Sequence, residues 1–128
     1  MPRTPELLVV ALGTWRAGAV YQTLFTAFGP KALEYRLEHS QARLIVTDVE
    51  NRPKLDGVIG FPDSIVVTGD AETASPEGDY DFWQELNQQA TTFDPVMRTA
   101  ADSFLMLFTS GTVGNAKGVA VPQQALLS

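Results

Sequence analysis

Apolar residues recur at helical spacing near the start of the chain, at Leu8, Ala11, Leu12 and Trp15. Thr4 can cap this helix, Pro5 suits its first position, and Glu6 complements the positive end of the helix dipole. Leu7, Val9 and Val10 fill much of the remaining surface, so burial on more than one side is expected. Gly18 is expected to end the helix. Residues 19–24 form a short apolar run between turns and read as a strand. Gly29-Pro30 opens a second helix, with Leu33 and Leu37 on its inner face and Lys31, Glu34 and Glu38 outside.

Leu44-Ile45-Val46 and Ile65-Val66-Val67 are continuous apolar runs, the pattern of strands buried on both faces. Pro53, Gly57, Gly60 and Pro62 interrupt the stretch between them. Asp79 or Asp81 can cap a helix containing Phe82, Trp83 and Leu86. Residues 103–108 form a third strongly apolar run, residues 118–121 a further strand, and Pro122 can open a last helix. Strands alternating with helices predict an α/β fold: a partial, mostly parallel sheet flanked by helices. The expected organisation is one partial domain over residues 1–128, truncated at both ends. The first residues enter a buried-type helix with no strand before it, and the last begin a helix that does not finish.

Composition narrows the picture only a little. The 128 residues carry a formal net charge of -6 and no basic run, which argues against a nucleic-acid binder. The acidic stretch at residues 70–81 is mixed with Gly, Pro, Ser and Thr and reads as a solvated loop rather than a metal site. No cysteine is present, so thiol catalysis and thiolate metal sites are absent. With no secretory pattern at the start and no run long enough to span a bilayer, a cytoplasmic protein without membrane partners is expected.

The stretch that carries chemistry follows the third apolar run: Thr109-Ser110-Gly111-Thr112-Val113-Gly114-Asn115-Ala116-Lys117-Gly118. Gly111, Gly114 and Gly118 allow sharp turns and close approach of the backbone to an anion. Successive backbone N–H groups can then converge on phosphate oxygens. Thr109, Ser110 and Thr112 add hydroxyl donors, and Lys117 adds a flexible positive charge. This is not a Walker A loop, because Lys117 is preceded by Ala116 and followed by Gly118. The glycine spacing of a dinucleotide fingerprint also fails. Composition alone slightly favours a plain glycine-rich turn between two strands, because such turns are common.

The order of residues at 109–118 resembles the phosphate loop of the adenylate-forming superfamily, whose usual form is T-S-G-[ST]-T-G-x-P-K-G. Eight of the ten positions fit, counting the free one; Val113 stands where threonine is usual and Ala116 where proline is usual. Pro5-Glu6-Leu7, Gly18-Ala19-Val20-Tyr21, Leu24-Phe25, Phe28-Gly29-Pro30, Arg36-Leu37, the run from Leu44 to Asp48, and Asp102 are also similar to acyl-CoA synthetases. The stretch at 18–25 looks closest to ligases of short- or medium-chain acids.

The resemblance implies an ATP-dependent acid–CoA ligase using Mg²⁺, with a carboxylic acid and coenzyme A as further substrates. A carboxylate attacks the α-phosphate of ATP, pyrophosphate leaves, and coenzyme A then displaces AMP. Thr109, Ser110, Gly111, Thr112, Gly114 and Lys117 inherit the binding of the β- and γ-phosphates, and Val113 the backbone part of it. The family's adenine, ribose, Mg²⁺, acid and CoA sites and its catalytic lysine are expected beyond residue 128, so residues 1–128 alone are expected to be inactive and to self-associate. The alternatives are a non-catalytic nucleotide- or anion-binding module and an inactive structural fragment. His39 reads as a favourable charge at a helix C-terminus. Trp15 and Trp83 read as core residues, and Asp48 as a turn-forming aspartate at the end of a strand.

Overall fold

The computed structural model describes residues 1–60, 62–69, 78–110 and 116–126. Their elements run in the order α1 (Pro5–Arg16), β1 (Tyr21–Gln22), α2 (Pro30–Ser40), β2 (Leu44–Asp48), β3 (Ser64–Thr68), β4 (Tyr80–Asp81), α3 (Phe82–Asn87), β5 (Ser103–Thr109) and β6 (Lys117–Pro122). One-turn 3₁₀ helices lie at Arg52–Leu55 and Gln123–Leu126. The chain forms two units, Met1–Leu7 with Leu24–Thr92, and Leu8–Thr23 with Phe93–Ser128.

The first unit holds an all-parallel sheet in the order β2-β3-β4. Leu33 and Leu37, four apart on α2, pack with Leu55 as its buried cluster, joined by Ile45, Ile65 and Phe28. A helix places residues at that spacing on one face, so one apolar stripe covers the sheet. The helix ends with Gln41 in the left-handed region (φ 53°); the Ala42 N–H reaches the Leu37 carbonyl, which satisfies the last turn. Val67 and Phe82 are also buried.

Asp81 caps α3, its Oδ1 accepting from the Gln84 N–H at 2.7 Å. Asp79 is not part of a solvated loop, as the sequence suggested. Its side chain is covered and takes a two-pronged ion pair from the Arg52 guanidinium, which Asp56 also contacts at 2.7 Å. The rest of that acidic stretch, residues 70–77, lies outside the described residues. Asp48 does form a turn: its Oδ1 accepts from the N–H groups of Glu50 and Asn51, both at 3.1 Å.

The second unit holds the sheet β1-β5-β6. β5 is its central strand, parallel to β1 and antiparallel to β6. Among the described residues the strands are therefore divided between two three-stranded sheets rather than one, although three of the four strand pairings are parallel. Gly18 ends α1 at φ 68°, with the Gly18 and Ala19 N–H groups bonded back to the carbonyls of Trp15 and Thr14. A Cβ at Gly18 would lie 2.7 Å from Val96 Cγ1, so both backbone angle and space require glycine there.

Burial departs from the sequence pattern in several places. None of the twelve described residues of α1 is buried, and Leu8 and Leu12 are 66% and 56% exposed. Leu44 is 55% exposed, and the buried part of β2 is Thr47 and Asp48 instead. In β5 only Phe104 is buried. Trp15 and Trp83 are also part-exposed rather than core residues. An apolar run records a preference for burial, and whether it is met depends on what packs against it.

Candidate phosphate-binding hairpin

β5 and β6 form a hairpin whose closing segment carries the predicted loop. The register near its tip sets Thr109 opposite Lys117, Phe108 opposite Gly118, and Leu107 opposite Val119. Directly opposed residues of an antiparallel pair share a face, and alternate residues along each strand return to it. Lys117 and Thr109 therefore lie side by side, in the same row as Leu107 and Val119. All four are exposed. The Thr109 hydroxyl reaches the Lys117 carbonyl at 3.5 Å, a long contact across the strands. The opposite row contains Phe108 and Met106. The hairpin thus presents a hydroxyl and a cation on one exposed face and turns Phe108 the other way.

Of the predicted site residues, Thr109, Ser110 and Lys117 are described. The first and last are cross-strand neighbours, and Ser110 follows directly and is exposed. Gly111, Thr112, Val113 and Gly114 lie outside the described residues, as does Asn115.

The base of the hairpin is held by a second set of bonds. The Asp102 carboxylate accepts from the Thr99 N–H at 2.7 Å and the Thr99 hydroxyl at 3.0 Å. Those bonds hold its carboxyl below the usual aspartate range. The Gln123 N–H bonds the Asp102 carbonyl, and the Gln124 N–H bonds the Ala100 carbonyl, each at 2.9 Å. The Trp15 indole N–H donates to the Phe104 carbonyl at 2.9 Å, and the two rings sit 5.7 Å apart. Arg98 Nε donates to the Gly18 carbonyl at 2.8 Å, and the Val96 N–H to that of Arg16 at 2.9 Å. Sequence reasoning did not find these supports. Apart from the local bonds from Thr99 to the Asp102 carboxylate, their acceptors are backbone carbonyls far along the chain, which leave no trace in residue type. His39, by contrast, stacks on Tyr35 with ring centroids 5.8 Å apart, within the last turns of α2.

Among the described residues no helix is long and apolar enough to cross a membrane, and no group of three or more His, Cys, Asp or Glu could hold a metal ion.

Known proteins match nearly the whole sequence. The chain is 36% identical, over 129 residues, to the acetyl-coenzyme A synthetase of Bacillus subtilis (strain 168), covering 99% of this chain and 22% of that protein. Among solved structures it is similar to the Brucella canis acyl-CoA synthetase, with 48% identity, a TM-score of 0.92, and coverage of 98% of this chain and 23% of that one. It is also similar to the anthranilate CoA ligase AuaEII in complex with anthranoyl-AMP, with 25% identity, a TM-score of 0.86, and coverage of 94% and 23%. The chain thus spans between a fifth and a quarter of the length of these relatives. A profile of the AMP-binding enzyme family matches residues 1–128, and the chain belongs to that family.

Proposed function

We propose that residues 1–128 are the phosphate-binding part of an ATP-dependent acid–CoA ligase acting through an acyl-adenylate. The observation that carries this reading is the placement of Lys117 beside Thr109 on the exposed face of the hairpin, within a residue order that matches the adenylate-forming phosphate loop at eight of ten positions. The similarity to an acetyl-coenzyme A synthetase and to an acyl-CoA synthetase supports the same reaction class. The AuaEII structure contains an acyl-AMP, the species expected from the first step.

In that step a carboxylate oxygen forms a bond to the α-phosphorus of ATP, and the bond from that phosphorus to the departing pyrophosphate breaks. In the second, the thiol sulfur of coenzyme A bonds to the acyl carbon, AMP leaves, and the thiol proton passes to base or solvent. Thr109, Ser110, Gly111, Thr112, Gly114 and Lys117, with the Val113 backbone, hold the β- and γ-phosphates. Lys117 Nζ stabilises the charge that builds on the departing pyrophosphate, and the short hydroxyls fix its orientation. The described residues offer Mg²⁺ no carboxylate set, so no step is assigned to the ion. The acid and coenzyme A sites lie outside these residues in this reading, and a cytoplasmic location belongs to it.

The test uses the complete enzyme. Lys117→Ala is expected to slow acid-dependent exchange of labelled pyrophosphate into ATP by roughly 10²–10³, because it removes a donor aimed at developing charge. Thioester formation from preformed acyl-AMP should change far less, since pyrophosphate has already left. Equal damage to both half-reactions would overturn the assignment.

A further inference from the structure

The two ends of the β5–β6 hairpin are in different registers. At the base, the Gln123 N–H bonds the Asp102 carbonyl, and Ser103 stands opposite Pro122. Continued without interruption, that register would set Phe108 opposite Lys117. The stem instead sets Leu105 opposite Val121 and Thr109 opposite Lys117. Between Ser103 and Leu105, β5 advances two residues while β6 advances one, so Phe104 is the extra residue of a β-bulge. A shift of one residue carries side chains to the other face of a sheet. This bulge therefore decides whether Lys117 shares a face with Thr109 or with Phe108 and Phe104. The residue that drops out of the β5–β6 ladder is the one Trp15 holds. Its carbonyl accepts the Trp15 indole N–H at 2.9 Å, and its ring lies 5.7 Å from the indole.

We propose that Trp15 is a positioning residue for Lys117: by holding Phe104 in the bulge, it sets the strand register that places the lysine beside Thr109 on the open face. This rests on the phosphate-binding role of Lys117 proposed above. The indole bond gives the bulged carbonyl a partner that the uninterrupted register would not require, so losing it removes a penalty against slippage. Trp15 acts through the hairpin and touches no substrate in this proposal.

The experiment is a double-mutant cycle on the protein, with tripolyphosphate as probe and binding followed by calorimetry. Trp15→Phe keeps an aromatic ring against Phe104 and removes only the N–H donor. The expected result is binding weakened about tenfold by Trp15→Phe when Lys117 is present, with little further loss in the Lys117→Ala background, because the two act as a unit. Cross-strand NOEs should also move, with Thr109–Lys117 contacts losing intensity to Phe108–Lys117 contacts in Trp15→Phe. If Lys117→Ala weakens binding but Trp15→Phe leaves both affinity and register unchanged, the positioning role is wrong and the phosphate site stands. Equal loss from Trp15→Phe in both backgrounds would make it a general structural residue and overturn the proposal. If wild type and Lys117→Ala bind the probe equally, or not at all, the phosphate assignment fails and the positioning role with it.

Discussion

The unit at Met1–Leu7 and Leu24–Thr92 and the unit at Leu8–Thr23 and Phe93–Ser128 are built by different means. The first has an apolar centre. Leu33, Leu37, Leu55, Val67 and Phe82 are all buried, and buried Asp48 and the covered side chain of Asp79 have partners. The second has Phe104 as its one buried large apolar residue among the described residues. Its elements are joined largely by donors aimed at backbone carbonyls: Trp15 to Phe104, Arg98 to Gly18, and Arg16 to Phe93. The unit with the weaker core carries the phosphate motif. Packing tolerates small changes of shape at modest cost, whereas a directed hydrogen bond specifies one geometry. The phosphate site proposed for Lys117 needs that side chain on one face, which calls for the second kind of constraint.

The largest expected effect on stability is in the first unit. Leu37 is 1% exposed at the middle of its cluster, and Leu37→Ala should cost about 2–5 kcal/mol. Denaturant unfolding followed at Trp83 would measure it, and a loss below 1 kcal/mol would mean that the first unit does not depend on its core. Gly18→Ala probes the second unit. It forces a side chain into the left-handed region and against Val96 and Arg98, so about 1–3 kcal/mol is expected. Hydrogen exchange at the Val96 amide, which bonds the Arg16 carbonyl, should accelerate before the amides of β2 and β3 do. Simultaneous acceleration of all of them would dissolve the distinction between the units.

Self-association is the next expectation for residues 1–128. Leu8, Leu12 and Val119 are exposed in the second unit, and Met97 is 88% exposed. Exposed apolar surface of this kind seeks a partner. Light scattering should show mass above the monomer, reduced by Leu12→Glu with Val119→Lys; a monodisperse monomer at high concentration would refute it.

The smallest effect is in acid. The Asp102 carboxyl is held low in the folded state by its bonds from Thr99. Its contribution to stability is therefore fully present above its unfolded pKa of about 3.9 and is lost as pH falls through the lower folded value. Loosening of the turn at residues 99–102 should begin below about pH 4. Asp102→Asn should flatten that dependence, measured by amide shifts of Thr99.

Much of the molecule is legible in the residue order. The starts of α1 and α2 follow from Pro5 and Pro30, and the end of α1 from Gly18. β2, β3 and β5 appear where the apolar runs stand, and Asp81 caps α3. The phosphate motif is specific as an ordered string and needs no structure to be noticed. These features are local: a proline, a cap or a spacing acts within a turn or two of chain. The tertiary structure decided the rest. It divided the described strands between two sheets, left no residue of α1 buried, and set the Asp79 side chain against Arg52 from 27 positions away. It also set the bulge at Phe104 and brought Trp15 to it across 89 positions. A hydrogen bond to a backbone carbonyl is independent of the acceptor's residue type, and burial depends on what else approaches. Neither can be read from one stretch of sequence, so the motif was visible from the string and the face it presents only from the fold.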